Sequence, residues 1–156
     1  MNVSEAIATR KTVRAFKPDP VSRETIEEII RLAARAPSGG NVQPWKVYAL
    51  IGPARDELVR RVAETRKTSP MGTAPEYHIY PPDLTEPYRT RRFRVGEQMY
   101  ATMNIPREDK MSRLKFFSRN WEFVGAPAGL ICTIDRQMQQ GHWADLGMFM
   151  QNIMLM

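Results

Sequence analysis

The chain has 156 residues, 42% of them hydrophobic, and its 23 lysines and arginines against 17 acidic residues leave a formal net charge of +6. That is one domain's length, and the charge favours anionic ligands such as phosphates, nucleotides, carboxylates or nucleic acid without choosing among them. One cysteine, Cys132, excludes an intrachain disulfide or a Cys-x-x-Cys metal knuckle, no run reaches the roughly 18–20 apolar residues of a membrane span, and residues 1–5 lack a charged-then-apolar leader pattern, so a cytoplasmic location is expected.

A short amphipathic segment from Ser4 to Thr9 leads into Arg10-Lys11-Thr12-Val13-Arg14-Ala15-Phe16. Side chains alternate faces along an extended stretch, which puts Arg10, Thr12 and Arg14 on one side. Guanidinium forks and a hydroxyl match phosphate oxygens, and each such charged hydrogen bond contributes about 1.5–3 kcal/mol. A solvated basic patch has the same composition. Ser22 then caps a predicted helix reaching Ala36, with Glu24, Glu27 and Glu28 toward its positive end. Ile26, Ile29, Ile30, Ala33 and Ala36 recur at helical spacing.

Pro37 stops that helix, having no N–H to donate and a ring that clashes with the preceding turn. The connection Ala36-Pro37-Ser38-Gly39-Gly40-Asn41-Val42-Gln43-Pro44-Trp45 follows. Its glycines let the backbone approach a ligand, and Ser38, Asn41 and Gln43 supply donors and acceptors of adjustable direction. Such a loop suits a flat, polar heteroaromatic ligand, although a plain polar connection uses the same turn residues.

Trp45 to Ile51 is rich in strand formers and ends at Gly52-Pro53, where proline suits the first turn of a further helix. That helix carries Leu58, Val59, Val62 and Ala63 on one face. The stretch from Thr68 to Pro87 holds five prolines among polar and aromatic residues and reads as a cover or excursion over a site. Helices are predicted over Tyr88–Met103 and Arg107–Asn120, separated by Ile105-Pro106. Ala128 to Ile134 is continuously apolar, as in a strand covered on both faces. The last helix, Ala144 to Met156, is apolar nearly all round, so a core or a subunit interface should bury it. Its final residues, Ile153-Met154-Leu155-Met156, offer no cap, and the expectation is a single domain, 1–156, incomplete at its C-terminal end.

Side-chain catalysts are scarce. No His-Glu-x-x-His, phosphate loop, Gly-x-Gly-x-x-Gly or Gly-x-Ser-x-Gly occurs, and no metal site is expected. His78 in the proline-rich stretch is a candidate substrate contact, His142 a capping or exposed side chain, Asp145 a structural carboxylate near a helix start and Cys132 a structural thiol. Arg89, Arg91, Arg92 and Arg94, with Tyr88 and Phe93, could grip nucleic-acid phosphates and stack on bases. These cations wrap the whole helix, which marks a solvated, ion-paired surface, so neither nucleic acid nor membrane is an expected partner. A scarcity of side-chain catalysts accords with an enzyme whose cofactor carries the redox chemistry.

In order along the chain, Arg10–Phe16 resembles the Arg-Arg-Ser-x-Arg-x-Phe element of the FMN-dependent nitroreductases, with Thr12 where serine is commoner. Ala36–Trp45 is similar to their Ala-Pro-Ser-x-x-Asn-x-Gln-Pro-Trp loop, and Phe123-Val124-Gly125-Ala126-Pro127 and Trp143–Asn152 fit as well. The likeness is greatest to the branch that reduces nitroaromatics such as nitrobenzoates. The resemblance implies an α+β fold, with a central, mostly antiparallel sheet flanked by helices, built as an intertwined homodimer. Only two strands can be read from the residues themselves. It implies NAD(P)H-driven, ping-pong reduction of nitroaromatic or quinone-like acceptors. Arg10, Lys11, Thr12 and Arg14 would hold the phosphate and ribityl end of FMN. Pro37, Ser38, Gly39, Asn41 and Gln43 would face its ring system across the dimer interface. The family's later segments, including a basic residue near the phosphate, are not in this sequence. A catalytically inactive, ligand-binding member is therefore the alternative.

Overall fold

The computed structural model of the chain describes residues 2–70, 72 and 75–156. In chain order it holds α1 (Val3–Thr9), α2 (Arg23–Ala33), β1 (Trp45–Ile51), α3 (Gly52–Thr68), α4 (Tyr88–Ala101), α5 (Lys110–Ser118), β2 (Ala128–Ile134) and α6 (Gln140–Leu155), with 3-10 turns at Gly39–Asn41 and Arg119–Gly125. Two compact units divide the chain: Met1–Leu58 together with Phe123–Met156, and Val59–Glu122.

In the first unit, Asn2 and Glu5 form a reciprocal capping box that starts α1. The Ser22 hydroxyl accepts the Thr25 N–H at 3.1 Å and starts α2, as its position predicts. β1 and β2 have the bounds read from the sequence and pair antiparallel, Trp45 opposite Ile134 and Ile51 opposite Ala128. Directly opposed residues share a face, so Trp45, Val47 and Cys132 point to one side of this two-stranded sheet. There they meet α2 and α6 around Ala33, Ala36 and the fully buried Phe149. The Phe149 ring stacks on Trp45 at 4.9 Å between centroids and 13° between planes.

The other face is open, with Tyr48 and Ile131 exposed. This corrects the expectation that β2 is covered on both sides. Among the described residues α2 and α6 pack on one face, and the opposite face is met at one end, where the Phe123 ring lies on Gly129 so closely that a Cβ has no room. Phe123, Val124 and Gly125 take left-handed φ values of 51°, 57° and 83° to deliver that ring, a conformation unusual for a β-branched residue.

α6 starts at Gln140, four residues before its expected start. Its inner stripe, Leu146, Phe149 and Ile153, reaches the core, while Trp143, Met148, Met150 and Met154 stay exposed. Within this chain the core therefore buries one stripe of the helix, and the rest of its apolar circumference faces outward.

The second unit has a different cement. α4 and α5 contribute no fully buried residue. Arg113 instead joins Glu97 through a bidentate pair at 2.6 and 3.0 Å, donates to the Pro106 carbonyl at 3.1 Å and lies 4.2 Å over the Tyr100 ring. The Arg113 partner holds the Glu97 carboxyl below the usual carboxylate range. The Asp109 carboxylate accepts the Ser112 N–H at 2.9 Å, so α5 begins after Asp109 and not at Arg107. In the proline-rich stretch, Met71, Thr73 and Ala74 lie outside the described residues.

Candidate functional site

The loop between α2 and β1 is a tightly constrained irregular segment of the first unit. Gly40, Asn41 and Gln43 all sit in the left-handed region, at φ values of 57°, 55° and 50°. Such positions cost a non-glycine residue roughly 1–2 kcal/mol, so surrounding bonds must hold them. The Ser38 carbonyl accepts the Asn41 N–H at 2.9 Å, and the Gly39 carbonyl accepts the Val42 N–H at 3.2 Å. The Ser38 hydroxyl accepts the Gln43 N–H at 2.9 Å and keeps its own proton to donate. Pro44 is buried at the loop's exit.

α6 braces this loop from behind. The Asp145 Oδ2 accepts the Gly39 N–H at 3.1 Å, across 106 residues of sequence. The same oxygen is 2.9 Å from His142 Nδ1. An ionised carboxylate can only accept, so the imidazole proton sits on Nδ1. Asp145 is 8% exposed, and a buried charge of this kind needs partners. Its carboxyl is held below the ordinary range first by the His142 bond and then by the Gly39 N–H. One turn further on is Phe149, and at Asn152 the side-chain amide donates at 3.3 Å to the Ala33 carbonyl at the end of α2, which also accepts the Ala36 N–H at 3.0 Å. Asp145, Phe149 and Asn152 are four and three residues apart, hence on one face.

What remains outward is polar and unspent. The side-chain amides of Asn41 and Gln43 are exposed and make no hydrogen bond among the described residues. The basic segment is likewise open. Arg10, Lys11 and Thr12 are exposed, and Arg10 reaches the Thr12 hydroxyl at 3.5 Å, as neighbours on one face of an extended stretch do. Lys11 and Arg14 have no carboxylate partner among the described residues. Arg23, Arg31, Lys67 and Arg89, by contrast, are each paired with a nearby glutamate. No hydrogen bond among the described residues joins the basic segment to the loop. Free guanidinium and ammonium groups fit a phosphate, and free amides beside a glycine turn fit the carbonyl and ring-nitrogen edge of a flavin. These residues therefore suit FMN.

The other candidates are less placed for chemistry. His78 is exposed and belongs to the second unit. Cys132 packs against the core, and burial pushes its thiol pKa up, away from the reactive thiolate. On α4 the cations are engaged locally: Arg92 lies 4.0 Å over the Tyr80 ring, Arg91 6.0 Å over Tyr88, and Arg89 pairs with Glu86 at 2.8 Å. The role of Asp145 in holding the loop was not foreseen. The signal was a lone carboxylate in the inner stripe of a strongly apolar helix, where it must find donors.

The family model described as "Nitroreductase family" matches residues 7–156. A nitrobenzene nitroreductase of Ectopseudomonas oleovorans is 37% identical over 153 residues, which cover 98% of this chain and 67% of that protein. A 4-nitrobenzoate reductase of Pseudomonas putida is 38% identical over 149 residues, 96% of this chain and 64% of that one. The crystal structure of the FMN and NADPH-dependent nitroreductase NfnB from Sphigopyxis sp. strain HMH superposes with a TM-score of 0.92 at 43% identity, over 99% of this chain and 70% of that one. The chain thus spans about two thirds of the length of these proteins.

Proposed function

The chain belongs to the nitroreductase family, and on that premise we propose that it serves FMN-dependent reduction of nitroaromatic or quinone-like acceptors by NAD(P)H. The observation that carries this reading is the loop: a strained turn fastened from behind, with the Asn41 and Gln43 amides left free in front. FMN, when bound, supplies the hydride-accepting and electron-donating chemistry that the side chains lack. In this reading Asn41 and Gln43 bond the polar edge of the flavin ring. Pro37, Ser38 and Gly39 keep the turn narrow enough for close approach. Arg10, Lys11, Thr12 and Arg14 hold the phosphate and ribityl end. The 156 residues act as one nitroreductase-like domain that pairs with a second copy, so that the loop of one subunit serves the basic segment of the other. No helix of the described residues is long and apolar enough to cross a membrane. A cytoplasmic location accords with the lone thiol packed against the core.

The test is direct. Purified protein is incubated with FMN, passed through gel filtration and examined for a retained flavin spectrum, then assayed for NADPH oxidation that depends on nitrobenzene or 4-nitrobenzoate. Retained flavin and parallel double-reciprocal lines for donor and acceptor are expected. Protein that emerges colourless, or intersecting lines with an isolable ternary complex, counts against the reading.

A further inference from the structure

We propose that Asp145 is a positioning residue for the cofactor loop: its carboxylate, held by His142, fixes the Gly39 N–H and thereby sets the left-handed turn that aims Asn41 and Gln43 outward. The proposal rests on the FMN reading above for its consequence, but the clamp itself stands on geometry alone.

Three hydrogen bonds within the turn restrain it, and among the described residues a fourth reaches it from a different element. The bonds from Ser38 and Gly39 fix its curvature. They leave its orientation to the flanking backbone, because all their atoms move together if the turn swings. The Gly39 N–H to Asp145 Oδ2 bond is the contact that ties the turn to α6, whose Phe149 is fully buried. The His142 ring also lies against Gly39, with Cε1 3.7 Å from the position of an added Cβ. His142 and Gly39 approach the same oxygen, so the histidine limits how far that carboxylate can rotate away. Asp145 itself does not point outward with Asn41 and Gln43; it acts on a ligand only through the backbone of Gly39.

Two predictions separate this role from general stability. In protein without FMN, Asp145→Ala should accelerate hydrogen exchange of the Gly39 amide about 10- to 100-fold, as expected for losing a bond to a charged acceptor. The amides of Val47 and Cys132 should exchange as in wild type. Asp145→Asn keeps the shape and one acceptor oxygen, so it should restore most of the protection; Asp145→Leu, which keeps the bulk and has no acceptor, should lose it as alanine does and carries the test if the alanine variant does not fold. With FMN, the alanine variant should bind at least about tenfold more weakly. Its bound-flavin absorption spectrum should shift, and the asparagine variant should return both toward wild type.

Unchanged Gly39 exchange in Asp145→Ala, or in Asp145→Leu where alanine does not fold, would overturn the clamp. So would faster Gly39 exchange accompanied by wild-type flavin affinity and spectrum, because the loop would then not need Asp145 for its purpose. Wild-type protein that binds no FMN, yet loses Gly39 protection on Asp145→Ala, would refute the cofactor reading while upholding the clamp.

Discussion

The two halves of the proposed FMN site are built on opposite plans. The loop from Pro37 to Trp45 is fastened: its turn is bonded internally, tied to a buried carboxylate and followed by an indole stacked on Phe149. The segment from Arg10 to Phe16 is open: its cations are exposed or half-buried, and its one described side-chain hydrogen bond joins two of its own side chains. The difference follows from what each must recognise. A ring system with fixed donor and acceptor directions is served by amides whose backbone has already lost its freedom. A phosphate dianion is nearly isotropic and attracts cations from a distance, so long flexible side chains suffice. Order is thus spent where direction matters.

This contrast can be broken most severely through the support of the fastened half. Phe149→Ala removes a fully buried ring from between α6 and Trp45, and a loss of about 3–5 kcal/mol in urea unfolding is expected. The loop should then resemble the basic segment in hydrogen exchange. A smaller and cleaner effect comes from the open half. Arg10→Ala should weaken FMN about tenfold or more while leaving the binding of riboflavin, which lacks the phosphate, and the melting temperature unchanged. Equal losses for both ligands would remove the phosphate assignment.

Within the loop itself two adjacent glycines sharpen the comparison further. Gly40→Ala places a Cβ at φ 57° and should cost roughly 1–2 kcal/mol. Gly39→Ala meets only ordinary contacts at 3.7 and 3.9 Å with no positive φ, and should stay within about 0.5 kcal/mol of wild type. A reversed order in thermal or urea unfolding would mean the turn is not held as described.

The smallest effect is a predicted constancy. The Asp145 carboxyl is lowered from its ordinary value of 3.8, so its contribution is present above that value and is lost only as pH falls through the lower folded one. Protection of the Gly39 amide, corrected for intrinsic exchange, should therefore hold from neutral pH down to about 4. It should disappear only below that. Loss at pH 6 would show that the carboxylate is not what fastens the loop.

The parts of this arrangement legible beforehand were those with a local cause. Ser22 predicts the start of α2 because a cap acts within three residues, and the strand bounds follow from apolar runs ended by Gly52-Pro53 and Asp135. The residues facing outward from the loop were readable from their chemistry, and their resemblance to a known motif extended over most of the chain. What stayed hidden depends on distant segments. Nothing near Asp145 announces that its partner is Gly39, and the apolar run of β2 could not reveal that only one face would be covered. The second unit was hardest to read, because arginines stacked on rings and paired with glutamates take the place of an apolar periodicity there.

The bond between Gly39 and Asp145 also sets a clock. Its donor is synthesised 106 residues before its acceptor, which at ordinary ribosomal rates is a delay of about 5–20 s. During that interval the glycine turn emerges complete in its own residues yet has nothing behind it. The Ala33 carbonyl, bonded locally to the Ala36 N–H, likewise gains its second donor, Asn152, only 119 residues later. A nascent chain halted between β1 and α6 carries every outward-facing group of the loop and no brace from α6. The outward-facing loop is thus completed in sequence long before it is fastened in space.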